Sequence, residues 1–227
     1  LAGNSNIAST QFNWSHDGIP PSMTITGWTL DPAMDEFYEI GNGAITNDTT
    51  LTLIFTSSEE TTDFTVDDIT VMGGTLSSFF AESSTIYTVT LTPSEDGEIT
   101  IEVAAGSFTD AAGNGNTATE PHIWIYDGTA PTMLITATNG SDIEMNDGAI
   151  TSDPLLYLTF ISGEVISGFT EDDISVGGGG LVSFSNVDWG QFEATLTPSG
   201  EGEITIDVWA GSFTDAIGNE NTTSAQF

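Results

Sequence analysis

The chain has 227 residues, with 34 acidic side chains, no Lys or Arg and no Cys, and its formal net charge is −34. Without cationic side chains nothing can neutralise phosphate, so nucleic acid is excluded as a direct partner and direct contact with an anionic membrane is disfavoured. Without Cys the chain forms neither disulfides nor thiolate metal sites. So large a charge destabilises a compact fold by self-repulsion, and we expect divalent cations or high salt as the counter-charge.

A tandem repeat organises the chain. Residues 106–114 recur as residues 211–219, with eight of nine positions kept at a spacing of 105. Residues 1–12 match 216–227, so the two ends carry copies of the same segment. We therefore expect residues 1–16 to be strand G of a preceding repeat or a donor strand, residues 17–126 to be domain 1, and residues 127–227 to be domain 2 with its last strand truncated.

Within each repeat, apolar residues alternate with threonines, which predicts half-buried β-strands. Glycine-rich and serine-rich turns separate these stretches. In the first repeat the predicted strands, in chain order, are 21–27 (A), 49–56 (B), 67–72 (C), 75–80 (D), 85–92 (E), 97–105 (F) and 117–126 (G). This number and size of strands is typical of an immunoglobulin-like sandwich. The predicted fold class is therefore all-β, with tandem seven-stranded immunoglobulin-like sandwiches.

Three repeated stretches resemble the bacterial Ig-like tandem repeats of giant extracellular adhesin and stalk proteins. They are the loop at 106–114, which with its copy at 211–219 is called the kept loop below, the stretch 64–69 with its match at 169–174, and the stretch 91–93 with its match at 196–198. The resemblance covers essentially the whole chain, although the lack of Lys and Arg departs from the family. It implies a non-enzymatic protein outside the cell or on its surface. The function it implies is that of a structural stalk or adhesin body, with neighbouring Ig-like repeats or identical subunits as partners.

If successive strands alternate in direction, the B–C loop, the F–G loop and the incoming linker meet at one pole of each domain. The residues brought there in the first domain are Asp17, Glu59, Asp67, Asp68, Asp110 and Asn114, and in the second they are Asp127, Glu164, Asp172, Asp173, Asp215 and Asn219. Carboxylates gathered without a protein cation repel one another, and hard oxygen donors are what Ca²⁺ takes. We expect a structural Ca²⁺ at each interdomain junction, with an affinity of roughly 10⁻⁴–10⁻³ M, and the resemblance points the same way.

A purely structural turn is the alternative interpretation of the kept loop. In that case Asp caps backbone N–H groups, Gly supplies a positive φ and Phe fills the core. Asp68 and Asp173 are equally compatible with roles as caps at the start of a strand.

Other functions find less support in the sequence. The two histidines, His16 and His122, occupy unrelated positions, and no Ser–His–Asp set recurs in both repeats, so neither a zinc site nor an enzyme is expected. Two alternatives to the stalk stay open. One is a self-assembling filament subunit joined by donor-strand exchange through residues 1–16. The other is a carbohydrate-binding module that uses the aromatic residues without counterparts, Trp28, Trp189 and Trp209.

Overall fold

The computed structural model describes residues 10–31 and 34–227. With 48% of residues in strands and 3% in helices, it confirms the predicted all-β class. Two compact units emerge from the contacts. The first comprises the described part of Leu1–Ala44 with Thr50–Ser94 and Ile99–Trp124, and the second comprises Ile45–Thr49, Glu95–Glu98 and Ile125–Phe227. No helix among the described residues is long and apolar enough to cross a membrane.

The strands are short and are numbered here in chain order. They are β1 (Met23–Asp31), β2 (Glu36–Ile40), β3 (Ala44–Thr46), β4 (Leu51–Ser57), β5 (Ile69–Met72), β6 (Gly74–Ala81), β7 (Ile86–Pro93), β8 (Gly97–Val103), β9 (His122–Tyr126), β10 (Met133–Asn139), β11 (Glu144–Met145), β12 (Leu156–Ser162), β13 (Ile166–Ser167), β14 (Ile174–Gly177), β15 (Gly179–Asp188), β16 (Gln191–Pro198), β17 (Thr205–Val208) and β18 (Thr214–Asp215). Two 3-10 helices, Val66–Asp68 and Glu171–Asp173, precede β5 and β14.

The two units repeat one sheet topology. A five-stranded sheet has the order β2-β1-β4-β7-β6 in the first unit, and its counterpart in the second has the order β11-β10-β12-β16-β15. The remaining strands form a four-stranded sheet of order β3-β9-β8-β5 and the pairs β14-β17 and β13-β18. Neighbouring strands in both five-stranded sheets are antiparallel.

The alternating pattern read from the sequence faces the core as predicted. In β4 the side chains of Leu51, Leu53 and Phe55 are at most 1% exposed, while the intervening positions reach solvent. An aromatic cluster lies at the centre of each core. The Phe64 ring packs against Phe55, Tyr87 and Phe108. At a spacing of 105, Phe169 makes the same contacts with Phe160, Phe192 and Phe213.

Some short strands were not predicted from the sequence. β1 continues to Asp31 and pairs with an unpredicted strand, β2, while β3 and β11 were also not anticipated. The predicted strand C begins as a 3-10 turn, because Asp68 caps that turn, and the strand starts only at Ile69. Of the predicted segment 1–16, residues 1–9 lie outside the described residues, and residues 10–16 form no strand.

Candidate metal centre

The kept loop that follows β8 is held by two buried residues. Phe108, only 1% exposed, lies 5.2 Å from the Phe64 ring and anchors the loop in the core. Asn116 is 3% exposed, and its Oδ1 accepts a hydrogen bond from the backbone N–H of Phe108 at 3.0 Å. Its Nδ2 donates to the carbonyl oxygens of Ala104 and Thr117 at 2.9 and 2.8 Å. The loop is therefore a closed, internally bonded turn.

The second unit builds the same loop after β17. Phe213 enters the core, and Asn221 repeats the bonds of Asn116 to the N–H of Phe213 and to the carbonyl oxygens of Trp209 and Thr222. Neither asparagine is among the site residues predicted from the sequence. Their recurrence with the following Thr, at 116–117 and 221–222, is the sequence feature that distinguishes them.

Asp110 lies at the tip of the first loop, and its carboxylate organises the backbone around it. Its Oδ1 accepts from the N–H groups of Ala112 and Asn114, at 2.9 and 2.8 Å, and its Oδ2 accepts from Nδ2 of Asn114 at 2.8 Å. The Asn114 amide and the backbone N–H groups lower the pKa of Asp110, because they stabilise the ionised form more than burial destabilises it. Asp110 is therefore a fixed, ionised carboxylate.

Asp215 repeats this arrangement with one more donor. Its Oδ1 accepts from the N–H groups of Ile217, Gly218 and Asn219, and its Oδ2 accepts from Nδ2 of Asn219 at 2.7 Å. Burial acts to raise the pKa of Asp215, but these hydrogen bonds outweigh it and the pKa lies below its ordinary value.

Two more carboxylates approach each of these aspartates. In the first unit, oxygen atoms of Asp17, Glu59 and Asp110 all lie within 4.8 Å of one another. Glu59 follows β4, where its backbone N–H donates to the Ser57 hydroxyl. Asp17 is held by the Asn114 amide, which donates to the Asp17 backbone carbonyl at 3.3 Å. We call Asp17, Glu59 and Asp110 the first carboxylate cluster.

The second carboxylate cluster consists of Asp127, Glu164 and Asp215, with oxygen atoms again within 4.8 Å of one another. Its attachments repeat those of the first. The Glu164 N–H donates to Ser162, and Nδ2 of Asn219 donates to the Asp127 carbonyl at 3.0 Å. Asp96 is outside this cluster, and it accepts hydrogen bonds from the N–H of Gly128 and the hydroxyl of Thr129.

The glutamate of each cluster has a raised pKa. Desolvation raises the pKa of Glu164, and the charges of Asp215, Asp127 and Asp96 raise it further. Desolvation and the charges of Asp17 and Asp110 raise the pKa of Glu59 in the same way. In both clusters a fixed anionic aspartate thus faces a glutamate whose ionised form is disfavoured, which is the electrostatic imbalance that a cation relieves.

The donor chemistry of both clusters fits Ca²⁺. Three carboxylates offer hard oxygen atoms, and with no Lys or Arg in the chain no side-chain ammonium or guanidinium competes for them. Asn114 and Asn219 present their amide nitrogens to the aspartates, so they position ligands and do not themselves offer an oxygen in this arrangement. Water would have to complete a coordination number of six to eight.

Of the twelve residues proposed from the sequence, Asp67, Asp68, Asp172 and Asp173 lie outside both clusters. They belong to the two 3-10 helices, where Asp68 Oδ2 accepts from the backbone N–H and the hydroxyl of Thr65. Asp173 does the same with Thr170. Asp68 and Asp173 thus cap the 3-10 helices that precede β5 and β14 and not the strands themselves.

The kept loop has the features that the structural-turn interpretation requires. Asp110 caps backbone N–H groups, Gly113 has a φ of 89° and Phe108 is buried. These properties are compatible with cation binding, because the hydrogen bonds fix the carboxylate without adding a positive charge.

The tryptophans and histidines have separate environments. Trp124 is completely buried, whereas Trp14 is 75% exposed. Trp189 and Trp209 are also exposed. His122 is buried in β9, and its Nε2 has no hydrogen-bond partner among the described residues.

Comparison with protein families gives one clear match. The model of the bacterial Ig-like domain matches residues 38–124 and again residues 127–227. No curated protein matches the chain.

Among solved structures, the chain is similar to FdeC, described as a broadly conserved Escherichia coli adhesin that elicits protection against urinary tract infections. The identity is 13% and the TM-score 0.38, over 90% of this chain and 62% of that one. It is also similar to InvD of Yersinia pseudotuberculosis, with 16% identity and a TM-score of 0.32, over 79% of this chain and 53% of that one. The chain thus spans less than two thirds of each.

Proposed function

The chain belongs to the family of bacterial Ig-like domains, in two tandem copies, and from this premise we propose that it is a structural segment of a long cell-surface stalk or adhesin whose units are stiffened by Ca²⁺. The family is typically non-enzymatic, and the role we assign is mechanical. Neighbouring Ig-like repeats are its partners.

One observation carries the calcium part of this proposal. Three equivalent carboxylates meet within 4.8 Å in each unit. One comes from the segment before the first strand, one follows β4 or β12, and one belongs to the kept loop. An acidic cluster formed once could be incidental, but its duplication together with the supporting asparagine supports a shared role. The ligands we assign are Asp17, Glu59 and Asp110, and Asp127, Glu164 and Asp215.

Bound Ca²⁺ would supply the positive charge that each cluster lacks. It would join the segment containing Asp17 to the loop of Asp110, and the segment containing Asp127 to the loop of Asp215. Pro20, Pro21 and Pro131 stand close to these segments in sequence and restrict their backbones further. A stiff connection of this kind suits a protein that must project something away from a surface.

Thermal unfolding of the whole chain tests the proposal. A ligand that binds only the native state stabilises it by RT ln(1 + [L]/Kd), which is about 1.4 kcal/mol per site at a tenfold excess of Ca²⁺ over Kd. We expect the melting temperature to rise when Ca²⁺ at millimolar levels replaces EDTA, and calorimetric titration to give two sites. NaCl at matched ionic strength is the control, because general screening would raise stability with either salt. An equal rise with both salts, or none with Ca²⁺, refutes the calcium part and leaves the structural role untouched.

One observation favours a second candidate, assembly of identical subunits by strand exchange. Phe12 and Trp14 match His122 and Trp124 of β9 at an offset of 110, yet they are 88% and 75% exposed where their counterparts are buried. A segment with the pattern of a β9 strand but no sheet around it is suited to pairing with another unit. Sedimentation velocity decides between the candidates. Strand exchange predicts ladders of oligomers that Trp14→Ser abolishes, whereas a stalk segment stays monomeric over the same concentrations.

A further inference from the structure

The ribbon of β1 and β2 presents an apolar strip to solvent. Leu30 pairs directly with Phe37, and Trp28 pairs with Glu39, so each pair shares one face of the sheet. Thr29 and Ile40, at alternate positions, are buried and mark the inner face. The strip therefore lies on the outer face, where Phe37 is 62% and Leu30 41% exposed.

This strip is an addition to the first unit. The corresponding pair in the second unit, β10 and β11, extends over only two registers, Ala137 with Met145 and Thr138 with Glu144. At the offset of 110, Thr138 takes the place of Trp28, and no strand pairing continues to positions equivalent to Leu30 and Phe37. The outer strip is thus not needed to form the shared fold.

Carboxylates border the strip. Asp35, Glu36 and Glu39 are exposed, and a shallow depression beside them is lined by Met34, Glu36, Phe37 and Tyr38. The chain has no Lys or Arg, so the complementary positive charge must come from another kind of molecule. A second copy of this chain and polyanions such as nucleic acids or sulfated glycans are electrostatically unsuited to this surface. In addition, β2 is an edge strand, the position at which an extended segment can add to a sheet.

We propose that the β1–β2 ribbon of the first unit is a docking surface for an extended, basic segment of a partner protein. The segment lies along the β2 edge, places apolar side chains on Leu30 and Phe37, and directs Lys or Arg side chains to Glu39 on the same face and to Asp35 and Glu36 at the start of β2. This surface includes no residue of either carboxylate cluster, so the inference stands independently of the calcium proposal.

The test uses residue-resolved NMR titration of the whole chain with two synthetic peptides of one length. One carries Tyr and Lys in turn at every second position with Thr between them, so that both types can reach the outer face of the sheet, and its twin carries Glu in place of every Lys. At near-physiological salt we expect the Lys peptide to shift the amides of β1 and β2 first, and the Glu peptide to shift none. Phe37→Thr should weaken binding about tenfold or more, because a central exposed aromatic residue is a typical energetic anchor.

Charge is tested by a matched pair of double variants. Glu36→Gln with Glu39→Gln removes two charges from the ribbon, and Glu144→Gln with Glu193→Gln removes two exposed charges from the second unit. We expect the first pair to weaken binding roughly threefold to tenfold and to reduce its salt dependence, and the second to leave affinity within about twofold.

Several results would overturn the proposal. They are amide shifts spread evenly over the acidic surface, an equal loss of affinity in both double variants, and an affinity of the Phe37→Thr variant for the Lys peptide that equals that of the parent. Self-association that Phe37→Thr abolishes, or ribbon shifts caused by a neutral oligosaccharide and not by the Lys peptide, would assign the surface to a different occupant. Because Phe37 is exposed on an edge strand, we expect its variant to keep the melting curve of the parent, which the same samples verify.

Discussion

Nδ2 of Asn114 donates to Oδ2 of Asp110 at 2.8 Å, and 105 residues later Nδ2 of Asn219 donates to Oδ2 of Asp215 at 2.7 Å. Each asparagine also donates to the backbone carbonyl of the linker aspartate, Asp17 or Asp127. One amide therefore connects the kept loop with the linker segment in each unit. The resulting carboxylate clusters lead to predictions of opposite sign with and without a cation.

Glu164→Gln should stabilise the cation-free protein and remove the response of the second cluster to Ca²⁺. In EDTA the ionised glutamate faces the charges of Asp215, Asp127 and Asp96, so neutralising it relieves repulsion by about 0.5 kcal/mol after allowance for solvent screening. With millimolar Ca²⁺ the variant loses a ligand and should melt below the parent. Differential scanning calorimetry in the two buffers measures both effects.

Glu193→Gln is the matched control, since Glu193 is exposed on β16 and outside the clusters. It makes the same change of charge and should leave the rise in melting temperature on adding Ca²⁺ unchanged. If Glu164→Gln and Glu193→Gln behave alike, net charge and not the cluster governs stability.

Asp215→Asn should destabilise the second unit by about 1–3 kcal/mol at pH 7, because an amide oxygen replaces a charged acceptor of several N–H groups. The pKa of Asp215 lies below its ordinary value of 3.8, so its contribution is present above that pH and is lost as pH falls toward the folded-state value. Hydrogen exchange at the amides of 217–219 reports this locally. Exchange that is equally slow in parent and variant at pH 7 would contradict the prediction.

Lowering the pH should reduce the free energy of unfolding of the first unit through protonation of His122. Burial lowers the pKa of this imidazole below its ordinary value of 6.5, and the charge of Glu39 only partly offsets that effect. The unfolded chain therefore binds the proton more readily. The stability that neutral His122 contributes is complete above pH 6.5 and falls as the pH drops from there toward the folded-state pKa.

His122→Phe copies the second repeat, where Phe227 occupies the matched position, and should remove this pH dependence. Urea unfolding at several pH values, followed through the completely buried Trp124, measures it. His16→Asn changes an exposed histidine and should leave the pH dependence intact. A slope that persists in the Phe variant would assign the effect to carboxylates.

Asn116→Ala should cost about 1–3 kcal/mol, because it leaves the buried N–H of Phe108 and the carbonyl of Ala104 without their side-chain partner. Asn13→Ala, at an exposed position, is the control and should change stability by less than about 0.5 kcal/mol. Chemical denaturation of the three proteins gives the comparison, and equal midpoints for all three would show that water replaces the side chain of Asn116.

The strands, the tandem repeat and the charge imbalance follow from the sequence alone. Leu51, Leu53 and Phe55 alternate with period two, so the strand and its inward face followed from neighbouring residues. The repeat at 105 residues revealed the tandem Ig-like units, and their strand order brought Glu59 and Asp110 to the same end of the first unit. The missing Lys and Arg showed that any compensating charge must come from outside the chain.

Only the tertiary structure separated Asp110 from Asp68, since both were predicted to lie at the same pole of the first domain. Asp68 points back to its own Thr65, whereas Asp110 lies beside Glu59 and Asp17. The direction of the Asn114 amide, the bonds of Asn116 and the exposure of Phe37 also depend on distant contacts. Period and composition determine which residues form strands and which faces are apolar. Register, loop closure and side-chain direction decide which polar groups meet, because these arise between segments that are far apart in the chain.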